Sequence, residues 1–213
     1  MITQENLKTL LESLGFTKDS KKLIYTKHFE NVNTSLSVDF TNKKLMYPKE
    51  IIRHDETTSN FSHPENFVVF ECVHRLLEKG YKPSSLELEP RWNLGRDKKG
   101  GKADILVRDL SLSYENNHKG NPYLIIECKT SSKTNEKSEF AKEWDKMQEN
   151  GGQLFSYFQQ ERSVKYLCLY TSDFINSTLN YENYIITMQD NEEYLKEHKK
   201  QGYENAPDVK SIF

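Results

Sequence analysis

The run Pro122-Tyr-Leu-Ile-Ile-Glu-Cys-Lys129 constrains the fold more than any other stretch of this 213-residue chain. Its apolar residues are consecutive rather than alternating, which predicts a central strand buried on both faces, and such a strand needs a layer on each side. The neighbouring segments supply those layers. His63-Pro64-Glu65 opens a helix in which Phe67, Phe70, Val73, Leu76 and Leu77 keep helical spacing, and Gly80 ends it. Residues 136–149 and 151–160 read as helices, broken at Gly151-Gly152. Ser85–Pro90, Lys102–Arg108, Val164–Tyr170 and Tyr181–Met188 read as further strands. Strands alternating with helices predict the α/β (α+β) class, a mixed central sheet flanked by helices.

Ahead of this unit, residues 1–60 predict a small α+β segment of accessory character. Leu7, Leu10, Leu11 and Leu14 mark a helix stopped by Gly15. Lys22–Phe29, Leu36–Phe40 and Lys44–Tyr47 follow as short antiparallel strands, with Thr41-Asn42-Lys43 as a hairpin turn. Thr57–Asn60 is the expected linker, residues 61–189 the main domain, and 190–213 a charged tail or connector to further domains.

Composition excludes several classes. With 11 Phe, 12 Tyr and 2 Trp the chain can fill a core, so wholesale disorder is excluded. No run approaches the ~20 apolar residues of a membrane span, and Met1-Ile-Thr-Gln-Glu-Asn6 lacks the basic-then-apolar order of a signal peptide. Three cysteines at spacings that match no zinc or redox motif predict reduced thiols and a cytoplasmic location. A net charge of −2 rules out a uniformly basic coat, so any nucleic-acid contact must be a local patch.

The chemistry concentrates where the central strand ends. Alternation puts Glu127 and Lys129 on one face, and an adjacent strand can bring Asp104 beside them. Two close carboxylates repel, and a hard divalent cation such as Mg²⁺ or Mn²⁺ is the natural remedy. Such an ion acidifies water and offsets phosphodiester charge, and a lysine on the same face can stabilise the developing charge. The strand pattern leaves a second placement open, in which the pair simply faces water at the strand's end.

Three neighbouring features bear on that choice. The loop Arg91-Trp-Asn-Leu-Gly-Arg-Asp-Lys-Lys-Gly-Gly-Lys102 carries Arg91, Arg96, Lys98, Lys99 and Lys102 against Asp97, a local charge of +4, and its glycines and tryptophan suit a phosphate backbone. Gln153 and Tyr157 are four apart and share a helical face. The helix that begins near residue 64 offers Glu65 and Glu71 as further carboxylates.

Taken in order, Gly101-Lys-Ala-Asp-Ile-Leu-Val, Leu124-Ile-Ile-Glu-Cys-Lys-Thr and Gly151-Gly-Gln-Leu-Phe-Ser-Tyr157 resemble the PD-(D/E)xK nuclease superfamily. The likeness is greatest to the N-terminal nuclease domain of type I restriction enzyme R subunits, a RecB-like branch with a Gln-x-x-x-Tyr motif. It spans about residues 62–189, and Phe67–Tyr81 is similar to the helix that opens that domain. The sequence departs from the pattern in having Ala103 where many members carry proline, and in a long gap between Asp104 and Glu127. The resemblance implies a restriction-endonuclease-like fold and a Mg²⁺- or Mn²⁺-dependent endonuclease acting on double-stranded DNA. It implies Asp104, Glu127 and the backbone carbonyl of Cys128 as metal ligands, Lys129 as catalytic lysine, and Gln153 and Tyr157 near the site or the DNA. Glu65 would be the helix carboxylate, with Glu71 second. Helicase or translocase, methyltransferase or specificity modules are the implied partners, on the same chain or in other subunits. The alternative is a catalytically silent nuclease-like module for DNA binding or subunit assembly; a purely structural domain is the third reading.

Overall fold

The computed structural model describes residues 1–92, 101–111, 120–134 and 136–187. Leu7, Leu10 and Leu11 bury one face of helix α1 (Leu7–Ser13), and Gly15 follows with φ +82. A positive φ of that size suits a residue without Cβ. Strands β1 (Thr17–Lys18), β2 (Ile24–Phe29), β3 (Thr34–Asp39) and β4 (Lys44–Met46) form an antiparallel meander in that order. Asp39 fixes the β3–β4 turn, its carboxylate accepting from the backbone N–H of Thr41 (2.9 Å) and Asn42 (3.0 Å). Such a local carboxylate-to-backbone turn is a common device for aspartate.

After the two-residue strand β5 (Ile52–Arg53), the chain enters helix α2 (Glu65–Glu78), which is buried along most of its length. A 3₁₀ turn (Pro83–Ser85) leads to β6 (Leu86–Leu88), then come β7 (Ile105–Asp109) and β8 (Asn121–Cys128). A small hairpin of β9 (Lys133–Thr134) and β10 (Lys137–Ser138) precedes helices α3 (Glu139–Asn150) and α4 (Gly152–Gln160). A long antiparallel pair, β11 (Tyr166–Ile175) and β12 (Thr178–Thr187), completes the described chain.

The larger sheet is mixed and runs β12-β11-β8-β7-β6-β5. The parallel pairs are β11 with β8 and β5 with β6; the other neighbours are antiparallel. As expected, β8 lies inside the sheet, and Leu124 to Cys128 are buried. Its alternation divides the core. Leu124, Ile126 and Cys128 join the apolar cluster beneath α2, whereas Ile125 joins the cluster of α3 and α4. Parallel β8 and β11 must be joined by a crossover, and α3 and α4 are carried by it. The coarse expectation of a mixed sheet between helical layers therefore describes the molecule.

Residues 1–60 share their core with α2. Phe16 and Tyr47 pack on Phe70 (centroids 6.0 and 5.6 Å), and Phe29 packs edge-on against His74 (5.3 Å). The segment expected to be a linker behaves differently from one. Leu45 N–H donates to the Ser59 carbonyl (3.0 Å), Lys44 bridges Asn60, and Thr58 and Ser59 are buried. The three cysteines, Cys72, Cys128 and Cys168, are buried free thiols. Among the described residues, no helix is long and apolar enough to cross a membrane.

Candidate functional site

Register places the two carboxylates. The β7–β8 ladder pairs Ile105 with Ile126 and Leu106 with Ile125, so one further step sets Asp104 opposite Glu127. Asp104 Oδ2 accepts the backbone N–H of Cys128 (2.7 Å), closing the ladder with a carboxylate in place of a carbonyl. On its other side the Asp104 carbonyl accepts the N–H of Glu89 (3.0 Å). Asp104 is thus tied to both neighbouring strands.

Lys129 follows immediately after β8. Its N–H bonds to the Tyr170 carbonyl (2.9 Å), and its ammonium reaches Glu127 Oε1 at 2.6 Å and Glu65 Oε2 at 3.8 Å. Glu65 stands at the first residue of α2, so one helix end and two strand ends converge on a single lysine. The Glu127 side chain is only 4% exposed and Lys129 15%, against 37% for Glu65. The open placement at a solvated strand end is therefore not the one adopted.

Three carboxylates around one buried cation leave negative charge uncompensated. Burial pushes the Glu127 carboxyl well above its ordinary value, the like charge of Asp104 adds to this, and Lys129 opposes it. Burial also raises Asp104, against the pull of Lys129 and the Cys128 N–H. Glu65 is pushed up to about 7, again by burial first, with Lys129 opposing. Burial would lower Lys129, but Glu127, Glu65 and Asp104 reverse this and hold it protonated.

One oxygen in the group is unserved: Glu127 Oε2 is buried and has no hydrogen-bond partner. A buried carboxylate oxygen without a donor is costly, and a hard cation would satisfy it. No group of three or more His, Cys, Asp or Glu side chains suited to a metal occurs among the described residues. Asp104 and Glu127, opposite each other across the ladder, are the two carboxylates that could hold such an ion. That set suits Mg²⁺, which keeps several waters and commonly uses one or two carboxylates.

Gln153 and Tyr157 meet as their spacing predicts, with Gln153 Nε2 donating to the Tyr157 hydroxyl (3.3 Å). The hydroxyl donates in turn to the Lys102 carbonyl (2.7 Å), two residues before Asp104, and Trp92 stacks on the Tyr157 ring (5.6 Å). Tyr157 therefore braces the backbone that delivers Asp104. Glu143 braces α4 from below: it is buried, and its Oε1 accepts the Gln153 N–H (2.9 Å).

Other expected site residues lie elsewhere. Glu71 is committed to Arg75 (2.9 Å) and the Tyr170 hydroxyl (2.7 Å), among the side chains packed beneath α2, and does not reach Lys129. Arg91 and Lys102 are both paired with carboxylates, Arg91 from an exposed position and Lys102 from a more sheltered one. Arg91 pairs with Asp55, and Lys102 Nζ binds Glu89 Oε1 (2.7 Å) and Thr57 Oγ1 (2.5 Å). Arg96, Lys98 and Lys99 lie outside the described residues.

The sequence reading missed Asp55 and Glu89. Glu89 is fully buried at φ +56, and burial first, then the neighbouring Asp55 carboxyl, raise its own carboxyl to about 7, opposed by Lys102. Glu89, more than any other neighbour, lowers the Asp55 carboxyl in turn. A signal existed: Glu89 ends an alternating run just before Pro90, where regular strand geometry stops.

In comparisons with known proteins, no family model matches the chain and no curated protein matches it.

Proposed function

We propose that the chain is a metal-dependent DNA endonuclease of restriction type, with a restriction-endonuclease-like fold and a site built on Asp104, Glu127 and Lys129. The observation that carries this reading is the partnerless, buried Glu127 Oε2, opposite Asp104 and on the same side chain that Lys129 holds. Asp104 and Glu127 would hold Mg²⁺ or Mn²⁺, with the Cys128 carbonyl as a further donor. When bound, the ion supplies charge that acidifies water and offsets that of the phosphodiester.

The chain's own residues divide the remaining work. Lys129 is kept protonated by its three carboxylates, so it acts as a donor to a phosphate oxygen and not as a base. Glu65, half-open to solvent with a carboxyl near 7, is suited to receive the proton released by the attacking water at Oε2. Water oxygen bonds to phosphorus, and the ester bond to the leaving strand end breaks. Tyr157 fixes the approach to Asp104 through the Lys102 carbonyl. Target choice and translocation would come from helicase, methyltransferase or specificity modules on the same chain or in partner subunits, acting in the cytoplasm.

Incubating plasmid DNA with the purified chain in Mg²⁺ or Mn²⁺ tests this, beside Asp104→Ala and Lys129→Ala. Nicking or linearisation by the parent and loss in both variants is the expected result. Cleavage that survives both substitutions refutes the assignment. DNA retention without cleavage favours a silent binding module.

A further inference from the structure

The part of the molecule that the site does not use is the sheet β1–β4, and its charge is unevenly placed. Because β2 begins opposite the end of β3, with Ile24 paired to Asp39, the β1–β2 and β3–β4 turns emerge at the same end of the sheet. Together they line a cleft of about 500 Å³ whose walls include Lys18, Lys21, Lys22, Asp39, Thr41 and Asn42. Lys43 and Lys44 continue the second turn, and Lys8 of α1 lies over the ring of Phe40, 5.2 Å from its centroid. All six lysines are exposed.

The two aspartates of the turns do not cover this charge. Asp19 Oδ1 is turned inward to the backbone N–H of Lys21 (2.7 Å) and Lys22 (3.0 Å). Asp39 is likewise taken up by Thr41 and Asn42, including the Asn42 amide at 2.7 Å. Six lysines against Asp19, Asp39 and Glu12 of α1, whose carboxylate accepts from the Tyr25 hydroxyl (3.3 Å), form a basic end on a chain of net charge −2.

This end is fastened to the candidate site. Phe40, at the root of the β3–β4 turn, packs edge-on against Phe61 (5.6 Å), and Phe61 against Phe67 in the first turn of α2 (5.2 Å). Lys44 bridges Asn60, whose carbonyl accepts from the Asn66 amide (3.0 Å), and Asn66 adjoins Glu65. The lysines are thus held at a fixed offset from the helix end that carries Glu65. They are also lysines at turns, without the planar fork that reads one partner geometry, which suits a repeating anion rather than a specific one.

We infer that the lysine-bearing end of the β1–β4 sheet is a second contact for duplex DNA, gripping the phosphate backbone beside the site irrespective of sequence. The choice of partner rests on the nuclease reading above. In that arrangement the short sheet holds the duplex while Lys129 and its carboxylates face one phosphodiester.

The test is fluorescence anisotropy of a labelled duplex in EDTA over a salt series. It compares the parent, a Lys21→Gln/Lys22→Gln/Lys43→Gln triple and the corresponding Lys→Arg triple. The glutamine triple should lose about tenfold or more in affinity at low salt and reduce the slope of log affinity against log salt by about 3. The arginine triple should bind as the parent does, and unchanged circular dichroism and melting verify both folds. Equal affinity of parent and glutamine triple overturns the inference, as does a parent without duplex affinity. Lysine-dependent binding to phosphatidylserine vesicles with duplex affinity unchanged overturns it too, in favour of a membrane surface. The plasmid assay stands apart: lysine-dependent binding without metal-dependent cleavage keeps the contact and removes the nuclease, and cleavage with lysine-independent binding does the reverse.

Discussion

Glu127→Gln isolates the buried carboxyl on which the site reading rests. In the metal-free protein the Glu127 carboxyl is buried opposite Asp104, and burial raises its pKa well above the ordinary 4.5. A carboxyl whose folded pKa is raised contributes stability that is fully present below the unfolded value and lost as pH rises through the folded one. The unfolded chain releases this proton first, so between those points the parent loses about 1.4 kcal/mol for each pH unit from Glu127 alone. Glutamine nearly matches the shape, keeps an oxygen for the Lys129 ammonium and cannot titrate. The stability gap between variant and parent should therefore widen in favour of the variant from about pH 4.5 upward. Urea unfolding in EDTA, at half-unit steps from pH 5 to 7.5, measures it. Repeating the series in Mg²⁺ should stabilise the parent and leave Glu127→Gln unmoved, because ligand binding to the native state adds to its stability. A gap that stays flat across this range would mean that Glu127 is ionised and solvated in the fold, and the argument for a cation at its free oxygen would collapse.

Four further outcomes follow from contacts already described. Tyr170→Phe removes a hydroxyl that donates to Glu71 and accepts from Arg75 Nε (2.9 Å), and should cost about 1–3 kcal/mol in urea unfolding while leaving plasmid cleavage intact. Gly152→Ala places a Cβ 2.7 Å from Glu143 Oε1 at a φ of +56, so melting should fall by several degrees, with cleavage falling in step. Tyr157→Phe loses the bond to the Lys102 carbonyl, about 1 kcal/mol of stability, and should lower kcat far more than it raises KM for DNA. Mg²⁺ affinity by calorimetry should rise with pH through the region near 7 where Glu65 titrates, because its charge adds to that around the site, and Glu65→Gln should flatten that rise; an unchanged profile would mean that the Glu65 charge is not felt by the ion.

What could be read along the chain was whatever repeats with a local period. Helix α2 begins within a residue or two of Pro64 and ends before Gly80, as spacing and the two punctuating residues predict. The buried run of β8 announces both its central place and the weight of Glu127 and Lys129 at its end. What could not be read depends on distant partners. Strand β5 is two residues that exist only because β6 lies beside them. Glu87 and Glu89 look like the wet half of an alternating strand, yet His54 and Arg108 cover one, Thr57 and Lys102 the other. Arg91 and Lys102 look free for phosphate until Asp55 arrives from far upstream. Thr57–Asn60 has the composition of a connector, and only pairing with β4 turns it into a sheet margin.

The amide of Cys128 gives its proton to a side-chain carboxylate, not to a backbone carbonyl as in an ordinary ladder. A charged acceptor draws an amide proton more strongly than a peptide oxygen does. That single N–H therefore serves as a built-in spectroscopic probe: its nuclear magnetic resonance should lie downfield of its neighbours and move when Asp104 is protonated or turns to a cation. Its exchange with deuterated water would time the opening of the site without any substrate present.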